Sequence, residues 1–483
     1  MLTTLVLLLV VALVAGCPGP GQPAAAGRRE SAETWLLTEL DGSRIGHSVT
    51  RVDRFEHGWR FEHVMELELE MLGVSQLVKA RSVAVTSDKL ELQSLDFRFQ
   101  AQDRVMEAAA AVQENVVIIK PVGDRPRTLK LVGPVYPTEA LGQLVISRGA
   151  ATGTTFEVPM FDVSSMSVER ASVKVEGWEP VAVLDSNFHA LKVRTTTAGI
   201  TVTTWLDSAG LTVREDAPPG LRSTRTTPAR AVAGAGQAGS VDLLRMFRVD
   251  VDTLIPEPGA VRRARLAVTG VGPEELPGDA GMTVSGADGA LIVEVVSVEP
   301  PAGRVDLPVA GQDSFLTASM TIQCDAPELV ERARAALAGE TDAVAAARLL
   351  TSWVFDNVEK VPTASFPTAL DVLRNLRGDC NEHAVLYAGL ARSAGLPCRV
   401  VVGLVYLDGS FYYHAWNDAW LGRWVPVDPT FGEFPAGALR LRLGGGELRD
   451  QSRILPLVGR IGIRVLDYDR APGAQRRESG PKS

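Results

Sequence analysis

Asp379, Cys380, Glu382 and His383 fall within five consecutive residues of the stretch GDCNEHA, in a chain with only four cysteines and six histidines. A thiol in such company can be a nucleophile, a metal ligand, half of a disulfide, or a small apolar residue at a helix start. The paired Cys-x-x-Cys or His-x-x-x-His spacing of a zinc site does not accompany it, so neither a metal nor another cofactor is expected. A disulfide to Cys398 would remove the nucleophile. The local pattern favours the nucleophile. Asp379 followed three residues later by Glu382 is a capping box with Asp in place of the usual Ser or Thr. It predicts Asp379 as N-cap and Cys380 as the first helical residue. The helix continues through AVLYAGLARSA, apolar almost all round until Arg392, and stops at Gly395-Leu396-Pro397. Such a helix is expected to be buried. A sulfur at its positive end sits where backbone N–H groups and the helix dipole favour thiolate. Asp379 and Glu382 push the other way, so a cationic partner is called for.

Two histidines can serve. His383 lies at i+3 from Cys380, within touching distance on a helix, but on a helix buried all round it reads as a core histidine bonded to a backbone carbonyl. His414 stands in FYYHAWNDAW, an aromatic strand, and Asp428 ends the next strand in WVPVDPT. Asp428 could orient His414 and stabilise its imidazolium, as in any Cys-His-Asp arrangement. Register constrains this pairing. A two-residue loop at Leu421-Gly422 would turn Asp428 to the opposite face, whereas an odd loop such as Trp420-Leu421-Gly422 sets it directly opposite His414. The triad therefore predicts an odd loop or a bulge.

GDCNEHA, FYYHAW and WVPVDPT, in that order, resemble the cysteine, histidine and aspartate boxes of the transglutaminase-like superfamily. The intervening ARSAGLPCRVVVGLVY resembles that family's helix-to-strand passage, and the likeness runs over roughly residues 320–435. It implies a papain-related core: a helix carrying Cys380 packed on an antiparallel sheet carrying His414 and Asp428. It further implies a peptide or protein substrate and a thioester intermediate, resolved by water in a peptidase or amidase and by an amine in a transglutaminase. No Asp-rich calcium loop is present. Asn417-Asp418 stands where relatives often have a glutamate nearby. Trp416, Trp420 and Trp424 are expected in the core or cleft wall. The alternative in another class is a non-catalytic envelope scaffold that keeps this fold.

The rest of the chain must position these boxes. At 483 residues, about 150 per domain suggests about three domains. A formal net charge of −9 without a long Lys/Arg run speaks against nucleic acid as a partner. MLTTLVLLLVVALVAGC (1–17) has the apolar run of a secretory signal. Its end, Leu13 to Cys17, resembles the lipobox of bacterial lipoproteins, although no Lys or Arg precedes the run. That resemblance implies acylation of Cys17 and an anchor in the bacterial cell envelope, facing periplasm or exterior. Residues 18–32 read as a Pro/Gly/Ala tether. In FEHVMELELEM the odd positions are mostly apolar and most even ones are glutamate, the period of a sheet with one wet face. Similar strands recur to Arg214, so 33–225 is expected to be a large antiparallel sheet, curled or half-barrel, through which an envelope protein could bind. Residues 226–240 read as a linker and 241–315 as a smaller β segment. Residues 316–440 form the catalytic domain, with helices capped at Asp325, Thr341 and Thr368. Residues 441–470 are an extension with a strand, and 471–483 a disordered tail. Helices before an antiparallel sheet make the fold class α+β.

Overall fold

The computed structural model describes residues 30–470 except 72–73, 102–103, 123–125, 150, 163–166, 198, 234–246, 288–289, 362–366 and 447–451. The expected signal segment with Cys17 and the expected tail 471–483 lie outside the described residues. Those described fall into two compact units, residues 30–233 and 247–470.

The first unit is one fifteen-stranded sheet. Its first half is a meander of β1 (Glu30–Leu40), β2 (Ser43–Phe55), β3 (Gly58–Met71), β4 (Val74–Thr86), β5 (Leu92–Ala101), β6 (Arg104–Gln113), β7 (Val116–Pro121) and β8 (Arg127–Lys130). A two-residue β9 (Tyr136–Pro137) leads through a tight turn into the short helix α1 (Leu141–Ser147). The second half runs through β10 (Thr155–Asp162), β11 (Ser167–Val183), β12 (Ser186–Thr197), β13 (Ile200–Leu206), β14 (Thr212–Ala217) and β15 (Leu221–Thr226). The two halves meet where β1 pairs antiparallel with β15, and the parallel pair is β9 with β10. Strand alternation does the sorting. Phe61, Met65, Leu67 and Leu69 of β3 are buried, while Glu66 between them stays wet and pairs with Lys79 at 2.8 Å. Two boundaries move. Glu30, expected in a tether, already belongs to β1. The start of the expected linker is a short helix α2 (Pro228–Val232), capped by Thr227 and held through its Ala231 carbonyl by Arg44 at 2.5 Å.

The second unit joins what the sequence divides into three pieces. Its central sheet has the order β16 (Arg248–Asp250), β23 (Ser410–Trp420), β22 (Cys398–Leu407), β25 (Arg440–Gly445), with β24 (Trp424–Val427) on β23. A four-stranded sheet holds β17 (Val261–Thr269), β18 (Met282–Ala287), β19 (Ala290–Val296) and β26 (Gly462–Arg470). β16 therefore belongs with the aromatic strand β23, and β26 from the C-terminal extension pairs with β17. These pairings span long stretches of chain, which no local pattern encodes. A two-residue parallel pair, β20 (Glu359–Lys360) with β21 (Arg377–Gly378), lies among the helices.

The helices are α3 (Pro327–Leu337), α4 (Ala343–Asn357), α5 (Ala369–Asn375) and α6 (Cys380–Ser393). Thr368 caps α5 as expected. The cap of α4 is Asp342, whose carboxylate accepts from Val344 N, rather than Thr341. α3 begins after Ala326 without a side-chain cap, so Asp325 is not its N-cap; Pro327, which lacks an N–H, already reduces the demand for one. α6 is the central helix. Residues 381–392 are all buried, and its small Ala and Gly residues let α3, α4, α5 and the central sheet close around it.

Candidate active site

The site begins at the first turn of α6. Asp379 Oδ1 accepts from Asn381 N at 2.7 Å, and Glu382 Oε2 accepts from Asp379 N at 3.0 Å. Two of the helix's orphan donors are thus satisfied reciprocally. The close return of Glu382 needs a glycine before the cap: a Cβ on Gly378 would lie 2.3 Å from Glu382 Cβ. Cys380, half-buried, is the first helical residue. His383 is fully buried and its Nδ1 bonds the Asp379 carbonyl at 2.7 Å, as a core histidine does. Burial pushes its pKa down.

β22 and β23 are joined by the two-residue turn Asp408-Gly409, and β23 carries His414. Asn417 of the same strand donates to the Ala384 carbonyl of α6 at 3.0 Å, which ties the sheet to the helix that holds the sulfur. The loop after β23 is odd, but it is Leu421-Gly422-Arg423, because Trp420 pairs with Trp424. Asp428, one place beyond Val427 opposite Asn417, is level with Trp416 instead of His414. The expected direct pairing is therefore shifted to a diagonal one on the same face. His414 Nε2 and Asp428 Oδ2 are 2.8 Å apart, with Asp428 wholly inaccessible. His414 is also hydrogen-bonded to Cys380.

The electrostatics follow from this chain of contacts. Burial works to lower the His414 pKa, but the Asp428 carboxylate, the Cys380 sulfur and hydrogen bonds to both outweigh it and raise it to about 9. Burial likewise opposes ionisation of Asp428, yet His414 and Arg440 hold it well below the usual carboxylate range. Arg440 is a member that sequence reasoning missed. Its Nη2 donates to Asp428 Oδ2 at 2.6 Å and its Nε at 3.2 Å, while Nη2 also meets Glu433 at 3.0 Å. Asp428 Oδ1 takes the N–H groups of Thr430 and Phe431 at 3.1 and 3.3 Å. The available signal was RLRL, in which arginine alternates with leucine on a strand and so places two guanidinium groups on one face.

Aromatic rings fix the imidazole plane. Trp416 stacks beside it at 6.3 Å and 18° and Phe431 at 5.0 Å and 27°, with Phe431 partly open to solvent. Trp416 has room because Gly403, opposite His414 on β22, has no side chain; a Cβ there would fall 2.7 Å from the Trp416 ring and 2.1 Å from Leu441 O. Trp420 and Trp424 form a separate edge-on pair at the loop, with Arg399 over Trp424. Asp418 is fully buried between Arg399 and Arg442, at 2.9 and 2.6 Å. It clamps β22, β23 and β25 together.

Cys324, Cys380 and Cys398 are all thiols. Burial pushes the Cys398 pKa up to about 12, which leaves it inert. Among the described residues no cluster of three or more His, Cys, Asp or Glu side chains is arranged to hold a metal ion.

A half-buried cysteine at the start of a central helix, facing a histidine on an antiparallel sheet, defines a papain-like fold. Residues 330–429 match the model of the Transglutaminase-like superfamily, and this segment is a transglutaminase-like domain. An uncharacterized protein of Mycobacterium leprae (strain TN) is 32% identical over 128 residues, 24% of this chain and 43% of the relative. The chain thus spans less than half the length of that curated relative. Among solved structures, a candidate cysteine protease from Cytophaga hutchinsonii is similar at 16% identity and a TM-score of 0.31, over 45% of this chain and 91% of that one. A beta-barrel-like protein of unknown function from Brucella abortus is similar at 13% identity and a TM-score of 0.34, over 41% and 95%.

Proposed function

We propose that this chain is an envelope-anchored thiol enzyme acting on peptide or isopeptide amides through Cys380, His414 and Asp428. The observation that carries this reading is the His414 ring itself, 2.8 Å from Asp428 and hydrogen-bonded to Cys380, two partners that favour its protonated form. The sulfur attacks the amide carbonyl carbon as a thiolate, at a helix start whose N–H groups face the developing negative charge. His414 passes its proton to the departing amine nitrogen, the C–N bond breaks, and a thioester remains on Cys380. Water or a second amine then attacks the thioester, giving its proton to His414, and the thiolate leaves. Asp428 holds the imidazole in the productive orientation throughout. Water as acceptor gives a peptidase or amidase, and a lysine-like amine gives a transglutaminase. The anchor in this proposal rests on Leu13 to Cys17 and their likeness to a lipobox.

The test is alkylation of Cys380 by iodoacetamide across pH, in the native chain and in His414→Ala. The expected result is rapid labelling at neutral pH that slows sharply in the variant. A profile like that of an ordinary thiol, unchanged by His414→Ala, would instead indicate a non-catalytic scaffold. Incubation with a glutamine peptide and a labelled amine separates the two outcomes of the thioester: incorporation marks transfer, and cleavage without incorporation marks hydrolysis.

A further inference from the structure

The first unit contains a cavity of about 140 Å³ that has no part in the thiol chemistry. It is lined by seven adjacent strands, in the order β3-β2-β1-β15-β14-β13-β12, and by the turn leading into α1. These strands turn their inner face to it, and nine of the twenty-two lining residues are Ser or Thr. The phase of the alternation is unusual. Thr34 and Thr38 share a face with Leu36 and Leu40, and His63 sits among the buried apolar positions of β3. Polar groups at core positions need partners, and two of these have none among the described residues. His63 is nine-tenths buried; its Nδ1 meets Thr50 Oγ1 at 2.7 Å, but Nε2 has no partner. Thr195 Oγ1 is likewise unpartnered.

Two carboxyl groups face the same space. Glu215 accepts from Thr204 Oγ1 at 3.0 Å, and Glu139, on the turn before α1, is bonded by Ser82 and by Thr138 at 3.2 Å. Among the described residues no lysine or arginine lines the cavity. The arginines of β14 and β15 are engaged elsewhere, Arg214 and Arg222 with Asp216, and Arg225 with Asp207. Burial raises the Glu139 pKa and lifts that of Glu215 to about 7. Burial also lowers His63 to about 4, so it offers a neutral ring. In the tautomer whose Nδ1–H donates to Thr50, the unpartnered Nε2 is an acceptor.

We propose that this cavity binds a small organic ammonium ion of the alkylamine or amino-alcohol class, with Glu215 and Glu139 as its counter-charges and His63 and the threonine hydroxyls as its hydrogen-bond partners. Size and lining narrow the choice. At about 30 Å³ per water the space matches roughly five waters, which suits a short amine. Among the described residues no Phe, Tyr or Trp lines the cavity, unlike the aromatic cage that suits quaternary ammonium ions. A cation entering here takes the place of the proton on a carboxyl group, and binding near pH 7 therefore releases protons.

The test is titration calorimetry on the full chain with putrescine and ethanolamine, each run in two buffers of different ionisation enthalpy. Butane-1,4-diol serves as the neutral counterpart of putrescine, and choline as the quaternary one. The expected result is binding of at least one primary amine with proton release, no binding of the diol or choline, and a loss of about tenfold or more in Glu215→Gln. Glu139→Gln is the second variant, and thermal melts identify any variant that fails to fold. The proposal is overturned if neither amine binds more tightly than about 10 mM, if the diol or choline binds as well as the amines, or if both folded Gln variants bind unchanged.

Discussion

Replacing Asp428 by Asn removes the charge that holds the His414 proton while keeping the side chain's shape. His414 stands at about 9 against an ordinary 6.5, a difference of 2.5 pH units. At about 1.4 kcal/mol per unit this amounts to roughly 3 kcal/mol of preference for the imidazolium. Burial works against that preference and persists in the variant, while the Cys380 sulfur keeps part of it, so the His414 pKa is expected to fall below about 9. Arg440 keeps Glu433 at 3.0 Å and the Gly437 carbonyl at 3.2 Å, which limits the collateral damage. The assay is the second-order rate of Cys380 alkylation by iodoacetamide between pH 4 and 11, with buried Cys324 and Cys398 slow to react. In the native chain the profile should show an upper inflection near pH 9, where His414 loses its proton and the sulfur loses a cationic neighbour. In Asp428→Asn that inflection should move down by about one unit or more. An inflection that stays near pH 9 in a folded Asp428→Asn would refute the assignment of the raised pKa to this carboxylate.

Three further outcomes follow from the same geometry. Arg440→Met leaves Asp428 buried with one cationic partner fewer, and should lower stability by about 3 kcal/mol in denaturant titration. Gly403→Ala drives a methyl into the Leu441 carbonyl and the Trp416 ring; it should cost about 1–3 kcal/mol by the same measurement and slow alkylation of Cys380. Finally, a histidine whose folded pKa is raised contributes stability that is complete below its unfolded value and lost as pH rises through the folded one. The melting temperature should therefore fall as pH rises from about 6.5 through about 9, and this fall should be smaller in Asp428→Asn.

The parts of this site that the sequence reveals are those encoded over a few residues. The capping box at Asp379 and Glu382 needs only a spacing of three, and it determines where α6 starts and which residue carries the thiol. Strand parity places His414 and Asp428 on one face for any odd loop, but parity does not distinguish direct from diagonal partners. That choice depends on where the chain turns, and the edge-on packing of Trp420 and Trp424 puts the turn one residue later than Trp420-Leu421-Gly422. Arg440 escaped because its role depends on β25 lying beside β22, a pairing that no short window encodes. The division of 241–470 into separate pieces failed for the same reason at larger scale. β16 looks like an isolated three-residue strand until β23 is beside it, and β26 looks like an appendage until β17 is. In the first unit the threonines and His63 that line the cavity went unread, because they share a space only once seven strands lie side by side.

The seam between β1 and β15 has a bearing on how the chain is born. The Thr38 hydroxyl meets Ser223, 185 residues further on, at 3.2 Å. β1 finds β2 almost as soon as it leaves the ribosome, yet its other margin stays bare until β15 has been made. At roughly 5–20 residues per second, that wait is roughly ten to forty seconds. For that interval the nascent protein carries a ladder of unanswered amides and carbonyls beside Trp35, Leu36 and Leu37, a template for a neighbouring chain. The negative charges of Glu33 and Glu39 on the same strand are its built-in deterrent against wrong partners until the right one arrives.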